Sequence, residues 1–258
     1  MPGGWRADRT RLLDEDPELG KWLTPDEVGL AREHLIVPVL RIAPGRWIPP
    51  SCENRSCHLG LLVLEGVLAR DEVLCGAVST DLIGVGELIQ PWAGWPGERF
   101  VPRRARWTAL VSLRVAVLGP AFAAASARWP ALRSVLLERT VQRCWSLSTQ
   151  HAISQLPRVD MRLLALFWHL AEQWGRAVSG GVLLPMPMTH TMLGHLAGAK
   201  RPTVTRSLHR LVACGYLARR DDGWLLPGES ADALRRLEQE PLDPDMAVPK
   251  ELLRLQAS

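Results

Sequence analysis

The stretch from Thr189 to Leu211, T-H-T-M-L-G-H-L-A-G-A-K-R-P-T-V-T-R-S-L-H-R-L, admits few folds. Leu193, Leu196 and Ala197 share one face of a short helix, and Val204, Leu208 and Leu211 form an i, i+4, i+7 stripe on a second. Gly198 lies between them, where the backbone must turn sharply. Thr189 is placed to cap the first helix with its hydroxyl. Pro202 falls in the first turn of the second helix, where a missing N–H costs little. The pattern predicts a helix-turn-helix.

Charge indicates what such a unit meets. From Met186 to Arg220 there is no Asp or Glu, while Lys200, Arg201, Arg206, Arg210, Arg219 and Arg220 give a formal +6. The whole chain carries +4, so everything outside this window is net −2. A basic face concentrated on a helix-turn-helix is the footprint of double-stranded DNA binding. A merely solvated basic face on a helical hairpin would not require turn, stripe and charge to agree. Downstream, Tyr216 to Arg220 and Trp224 to Leu226 flank Asp221-Asp222-Gly223, two short strands around an Asp-Gly turn. The hairpin makes the unit a winged helix.

The rest of the chain reads as strands followed by a long helix. Residues 1–24 are polar and irregular and are expected to form a loosely attached arm. Thr24-Pro25-Asp26-Glu27 starts a short helix ending near His34. L-I-V-P-V-L-R-I from Leu35 reads as a strand, placed at an edge or irregularity by Pro38. His58 to Leu68 reads as two strands hinged at Glu65-Gly66. Further strands are expected at Leu74 to Val78, around the glycines of Asp81 to Leu88, and within Trp107 to Leu118. Short strands with glycine turns point to an antiparallel barrel or jelly roll over 25–122.

Pro130 opens a stretch free of Gly and Pro from Ala131 to Leu156. As a helix of about 26 residues it would run about 39 Å, suited to a dimer interface. We assign 123–156 as this central dimerisation segment and 157–230 as the winged helix-turn-helix, with a helix over Asp160 to Arg176. The charged, proline-interrupted segment 231–258 is expected to be a partly disordered tail. The fold class is α+β.

Several function classes are disfavoured. No apolar run approaches the ~20 residues of a membrane helix, and Met1 to Arg11 lacks the apolar core of a signal peptide, so a cytoplasmic location is expected. Five scattered cysteines (Cys52, Cys57, Cys75, Cys144, Cys214) argue against a disulfide framework and read as buried, inert thiols. His190 and His195, five apart, do not share a helix face and make no zinc pair. No nucleophile elbow, P-loop or dinucleotide fingerprint is present, so no enzyme, catalytic residue, metal or cofactor is assigned.

The order of strand-rich domain, long helix and winged helix resembles the Crp/Fnr superfamily of bacterial transcription regulators. The resemblance spans about 35–228. It is strongest from Arg158 to Leu226, through L-A-G-A-K-R-P-T-V-T-R-S-L-H-R-L and C-G-Y-L, and weaker in L-L-V-L-E-G-V-L and D-L-I-G-V-G-E-L. It implies a cyclic-nucleotide-binding-like jelly-roll sensor, a homodimer, operator binding and, as a further partner, RNA polymerase. It also implies base reading by Arg201 and Arg206. Thr189, Lys200, Pro202, Thr203, Thr205, Arg210 and Arg219 are left to phosphate contact or helix positioning. Arginine offers a bidentate fork to guanine, and a spacing of five separates the two arginines by about 140° around the helix. Many family members have Glu where this chain has Pro202, and proline cannot accept a hydrogen bond from cytosine.

The resemblance further implies an effector pocket at Gly86, Glu87 and Leu88, with an arginine to hold a phosphate. The position ten after Glu87 is Gly97. The nearest arginines are Arg99, Arg103 and Arg104, beyond the insertion P-W-A-G-W-P-G, whose Trp92 and Trp95 read as core or as the lining of a different pocket. That spacing argues against a cyclic nucleotide. Iron–sulfur members of the superfamily use four cysteines, and their spacing is absent around Cys52, Cys57 and Cys75. A different class of protein also fits: a ligand- or partner-binding barrel whose basic module serves protein contact or nonspecific nucleic-acid binding. Discrete palindromic footprints would separate the two.

Overall fold

A computed structural model of the chain describes residues 8–49, 59–91 and 103–239. Packing divides it into two units, Met1–Trp145 and Ser146–Ser258. The boundary falls inside the long helix.

The first unit begins with strand β1 (Asp8–Arg11), helix α1 (Leu12–Glu15) and a 3-10 turn (Pro17–Gly20), then helix α2 (Pro25–His34). Eight strands follow: β2 (Ile36–Ile42), β3 (Gly45–Trp47), β4 (Gly60–Glu65), β5 (Leu68–Leu74), β6 (Ala77–Ile83), β7 (Leu88–Ile89), β8 (Arg103–Ala109) and β9 (Leu113–Leu118). They form two antiparallel sheets, β1-β2-β9-β4-β7 and β3-β8-β5-β6. Helix α3 (Pro120–Ala125) and the 26-residue helix α4 (Pro130–Gln155) close the series.

Two cores lie on opposite faces of the five-stranded sheet. Leu61, Val63 and Val115 join Trp47, Leu68, Ile83 and Trp107 of the other sheet in one core. Leu62, Ala116 and Leu118 join Leu12, Leu19, Ala31, Phe122, Leu132 and Val135 in the second. Successive side chains point to opposite faces, so a sheet buried on both sides needs an uninterrupted apolar run. That is why G-L-L-V-L does not alternate. Trp47 and Trp107, paired across β3 and β8, meet edge to face with centroids 6.0 Å apart.

Residues 8–24 of the expected arm are instead part of the fold, and residues 1–7 lie outside the described residues. β1 pairs with β2 from Arg11↔Ile36 to Asp8↔Val39, and Leu12, Leu13 and Leu19 are buried. Arg139 of α4 holds Asp16 through both guanidinium ends, at 2.5 and 2.9 Å. Thr24 caps α2 as read, in a complete capping box with Glu27. β2 is not an edge strand: β9 pairs with it from Val39 onward, so Pro38 lies beyond that ladder, opposite Arg9 of β1 alone.

Leu74 to Val78 is not one strand: Leu74 ends β5, Cys75 and Gly76 form a hairpin turn, and Ala77 and Val78 begin β6. Cys75 and Gly76 take φ of 49° and 83°, both left-handed, as a two-residue hairpin loop requires. The hinge at Glu65-Gly66 is present between β4 and β5. Cys75, Cys144 and Cys214 are exposed free thiols, contrary to the buried reading; Cys52 and Cys57 lie outside the described residues.

The second unit is built around helix α5 (Val159–Trp174), followed by hairpin β10 (Arg176–Val178) and β11 (Gly181–Leu184). Helices α6 (His190–Ala197) and α7 (Arg201–Ala213), strands β12 (Ala218–Arg220) and β13 (Gly223–Pro227), and helix α8 (Ser230–Gln239) complete it. The strands form one antiparallel sheet, β10-β11-β13-β12. Arg176 therefore begins a strand, not the end of a helix. Phe167 is fully buried, its ring 5.1 Å from Trp224 of the wing. The expected tail is helical through Gln239: Ala233 and Leu237, one turn apart, are buried, and Arg158 Nη1 donates to the Leu237 carbonyl at 3.0 Å. Residues from 240 onward lie outside the described residues.

Candidate nucleic-acid interface

The turn between α6 and α7 is set by backbone geometry. Thr189 Oγ1 accepts from the Met192 amide at 3.2 Å and caps α6. Gly198 ends that helix in the left-handed region at φ 61°. The Ala199 amide donates to the Gly194 carbonyl at 2.8 Å, and a Cβ on Gly194 would lie 2.6 Å from the Ala199 oxygen. Gly194 is thus required by close approach, a role the sequence pattern did not single out. Arg162 of α5 secures the same corner, donating to the carbonyls of Gly198 at 3.1 Å, Ala197 at 3.4 Å and Leu156 at 2.5 Å.

Val204, Leu208 and Leu211 bury the inner face of α7, as the stripe predicted. Lys200, Arg201, Pro202 and Arg206 are exposed, and Thr203 and Thr205 are half-buried. Lys200 occupies the N-cap position with extended backbone and no side-chain cap, so the positive end of the helix dipole stays open beside two cations. Arg210 is half-buried, its Nε buried without a hydrogen-bond partner. Arg219 stacks its guanidinium on Trp224 at 4.9 Å across the β12–β13 pair, which fixes it on the wing. Among the described residues, none of these cations forms an ion pair with a carboxylate.

Thr205 is engaged inside the protein. Its hydroxyl donates to the Arg201 carbonyl at 3.1 Å and meets Nδ1 of His190 at 2.8 Å. It positions helices rather than offering a donor outward. Burial, then the nearby charges of His209, Arg201 and Arg219, holds the His190 ring below the ordinary histidine range.

The expected effector site has a different arrangement. Glu87 accepts from the Gly84 amide at 2.5 Å and from Arg143 of α4 at 2.6 Å, and Arg143 also bonds Asp81. Arg139 donates to the Gly86 carbonyl at 3.3 Å, and Leu88 opens β7. Burial pushes the Asp81 and Glu87 carboxyls above the usual range, and Arg143 opposes the shift without cancelling it. Arg104 is exposed on β8 opposite Val73, three positions along from Trp107, which pairs with Arg70 opposite Asp81. At ~3.3 Å per residue Arg104 sits about 10 Å from that level. The structure therefore joins Glu87 to Arg143, not to Arg104. Arg103 begins β8, its side chain outside the described residues along with Trp92, Trp95, Gly97 and Arg99.

A jelly roll, a long helix and a winged helix-turn-helix with an unpaired basic face define the fold of the Crp/Fnr regulators. Residues 161–237 match the model of the Crp-like helix-turn-helix domain. Solved structures share the fold. FixK2 from Bradyrhizobium japonicum is 15% identical with a TM-score of 0.59, over 83% of this chain and 100% of that one. A CooA mutant from Carboxydothermus hydrogenoformans is 16% identical, TM-score 0.59, over 76% and 86%. A CRP-family transcriptional regulator from Thermus thermophilus is 18% identical, TM-score 0.56, over 79% and 98%. No curated protein matches the chain.

Proposed function

We propose that the chain is a sequence-specific transcription regulator that binds double-stranded DNA as a homodimer in the cytoplasm, with RNA polymerase as a further partner. The observation that carries this is the set of six cations on α7, its N-cap and strand β12, held on a helix-turn-helix with no Asp or Glu between Met186 and Arg220. Unpaired cations on such a scaffold are free to neutralise phosphates and release counterions. In this reading Arg201 and Arg206, on the exposed N-terminal half of α7, read base edges. Lys200, Arg210 and Arg219 meet phosphates, and Thr189, Pro202, Thr203 and Thr205 set the position of the helices.

The two-fold partner is a second copy docked along α4. Leu137, Val141 and Trp145 follow at i, i+4 and i+8 and are 65%, 47% and 71% exposed. The opposite face of the same helix buries Leu132, Val135 and Leu136. A helix apolar on both faces has a second surface to cover, and paired half-sites need a pair of reading helices. In sedimentation the full chain should be a dimer and Leu137→Glu a monomer; a monomeric parent chain would refute the pairing. Selection from random duplexes should return palindromic sites. Enrichment without any shared sequence would instead mark an electrostatic clamp.

A further inference from the structure

His190 opens α6 and is half-buried between that helix, α7 and the wing. Its Nδ1 lies 2.8 Å from Thr205 Oγ1, and that hydroxyl donates its single proton to the Arg201 carbonyl. Thr205 must then accept from the ring. The neutral imidazole is the Nδ1–H tautomer, and Nε2 carries a lone pair. Among the described residues Nε2 has no hydrogen-bond partner, and it is not among the buried unpaired atoms, so it faces outward. The charged groups facing the ring are His209 and Arg201 of α7 and Arg219 of β12. All are cationic or can become so, and all oppose a second positive charge there.

We propose that His190 is a proton-linked phosphate contact, taking up a proton as duplex DNA docks and only then donating from Nε2 to a backbone phosphate. The inference rests on the DNA-binding reading above and deepens it. A neutral Nδ1–H ring turns a lone pair toward an approaching phosphate, which repels it. The protonated ring turns an N–H toward it in a charge-assisted bond. The phosphate itself drives the change: it brings the opposite charge beside the ring and offsets the repulsion from Arg201 and Arg219. Affinity and proton uptake are then linked, each promoting the other.

The test uses the full chain and scrambled duplex DNA, since a phosphate contact acts on any sequence. Binding is followed by fluorescence anisotropy at constant ionic strength from about pH 8 to about pH 6, the range in which a histidine titrates. Uptake of up to one proton should tighten the parent chain on the order of ten-fold. The His190→Gln chain should lose most of that response, and His151→Gln, altered on an exposed stretch of α4, should keep it. In His190→Arg a permanent cation should make binding nearly independent of pH. Proton NMR of the His190 ring in the parent chain, read directly, should show its titration move to higher pH when DNA is added. A full pH response in His190→Gln, or a ring titration unmoved by DNA, overturns the proposal while leaving DNA binding intact. Failure of the parent chain to bind duplex at any pH overturns the DNA reading itself.

Discussion

Arg143 lies 2.6 Å from Glu87 and bonds Asp81 as well, its side chain only 13% exposed; Arg206 is exposed and has no carboxylate beside it. The same contrast runs through both units. In the first, Arg70 meets Asp81 at 3.3 Å, Arg114 grips Glu15 through both guanidinium ends at 2.7 and 3.1 Å, and Arg139 grips Asp16. The Arg114 hydrogen bond, ahead of all other causes, holds the Glu15 carboxyl below its usual range. In the second, among the described residues, the cations of α7 and β12 form no ion pair with a carboxylate, and Arg201 and Arg206 are exposed. One residue type thus serves as an internal clamp where carboxylates surround it and, in the function proposed above, as a recognition group where they are absent. The difference lies in placement of Asp and Glu, since arginine is charged in both settings.

Removing a clamp should therefore cost stability, and removing a reading group should cost binding alone. The largest effect is expected for Arg143→Met, which leaves the buried Glu87 without its cation and Asp81 with Arg70 alone. Breaking a buried pair costs about 3–5 kcal/mol, and Asp81 and Glu87, 12% and 20% exposed, should approach the lower figure. The direction with pH is definite. Both carboxyls have raised values in the folded chain, so the folded state binds their protons more tightly than the unfolded state. The stability they contribute is complete below the unfolded values and is lost as pH rises through the folded ones. Arg143→Met enlarges the shift, so its deficit in urea unfolding should shrink as pH falls from about 7 toward about 5. A deficit that grows on acidification would mean that the clamp is not what these groups provide.

Arg206→Ala comes next. It should leave the urea midpoint unchanged and cost about 1–3 kcal/mol on the selected site, with discrimination lost at one base pair. Equal weakening on selected and scrambled duplexes would remove its base-reading role. The smallest effect is expected for Arg210→Ala, which should weaken all sequences alike and lower the salt slope by about one unit. Because the Arg210 Nε is buried, this variant also tests whether the residue belongs wholly to the recognition set. A shifted urea midpoint would move it toward the clamps.

Much of this was legible because its signals are local. The cap at Thr24, the hinge at Gly66, the uninterrupted run behind α4 and the stripe of α7 each lie within a few residues of what they specify. The wing was readable from Asp221-Asp222-Gly223. What escaped depends on distant partners. Asp8-Arg9-Thr10-Arg11 is polar and becomes a strand only because residues 36–39 pair with it. Ser230 to Gln239 looks like a solvated charge run until Ala233 and Leu237 meet α5. Cys75 in a left-handed turn follows from the β5–β6 register rather than from any turn preference of cysteine. At the interface, the arginines announced themselves by charge. His190 did not, because its role depends on a hydroxyl fifteen residues away on another helix.

β1 has a consequence for how the molecule keeps to itself. It is the outermost strand of its sheet, four residues long, with two arginines, a threonine and an aspartate, and Asp8 bonds Arg41 at 3.1 Å. A short, charged final strand is a poor template for another chain, so lateral growth of the sheet stops there. Cleavage ahead of Thr24 would strip it away and leave the Ile36-Val37 end of β2 with open amides and carbonyls beside an unroofed core. The shortened chain should add strand to strand with its own copies, giving aggregates that bind amyloid dyes and increase with protein concentration. The segment from Asp8 to Leu23 then acts as a stopper on polymerisation, and its proteolytic removal is a route by which the protein would be lost from solution.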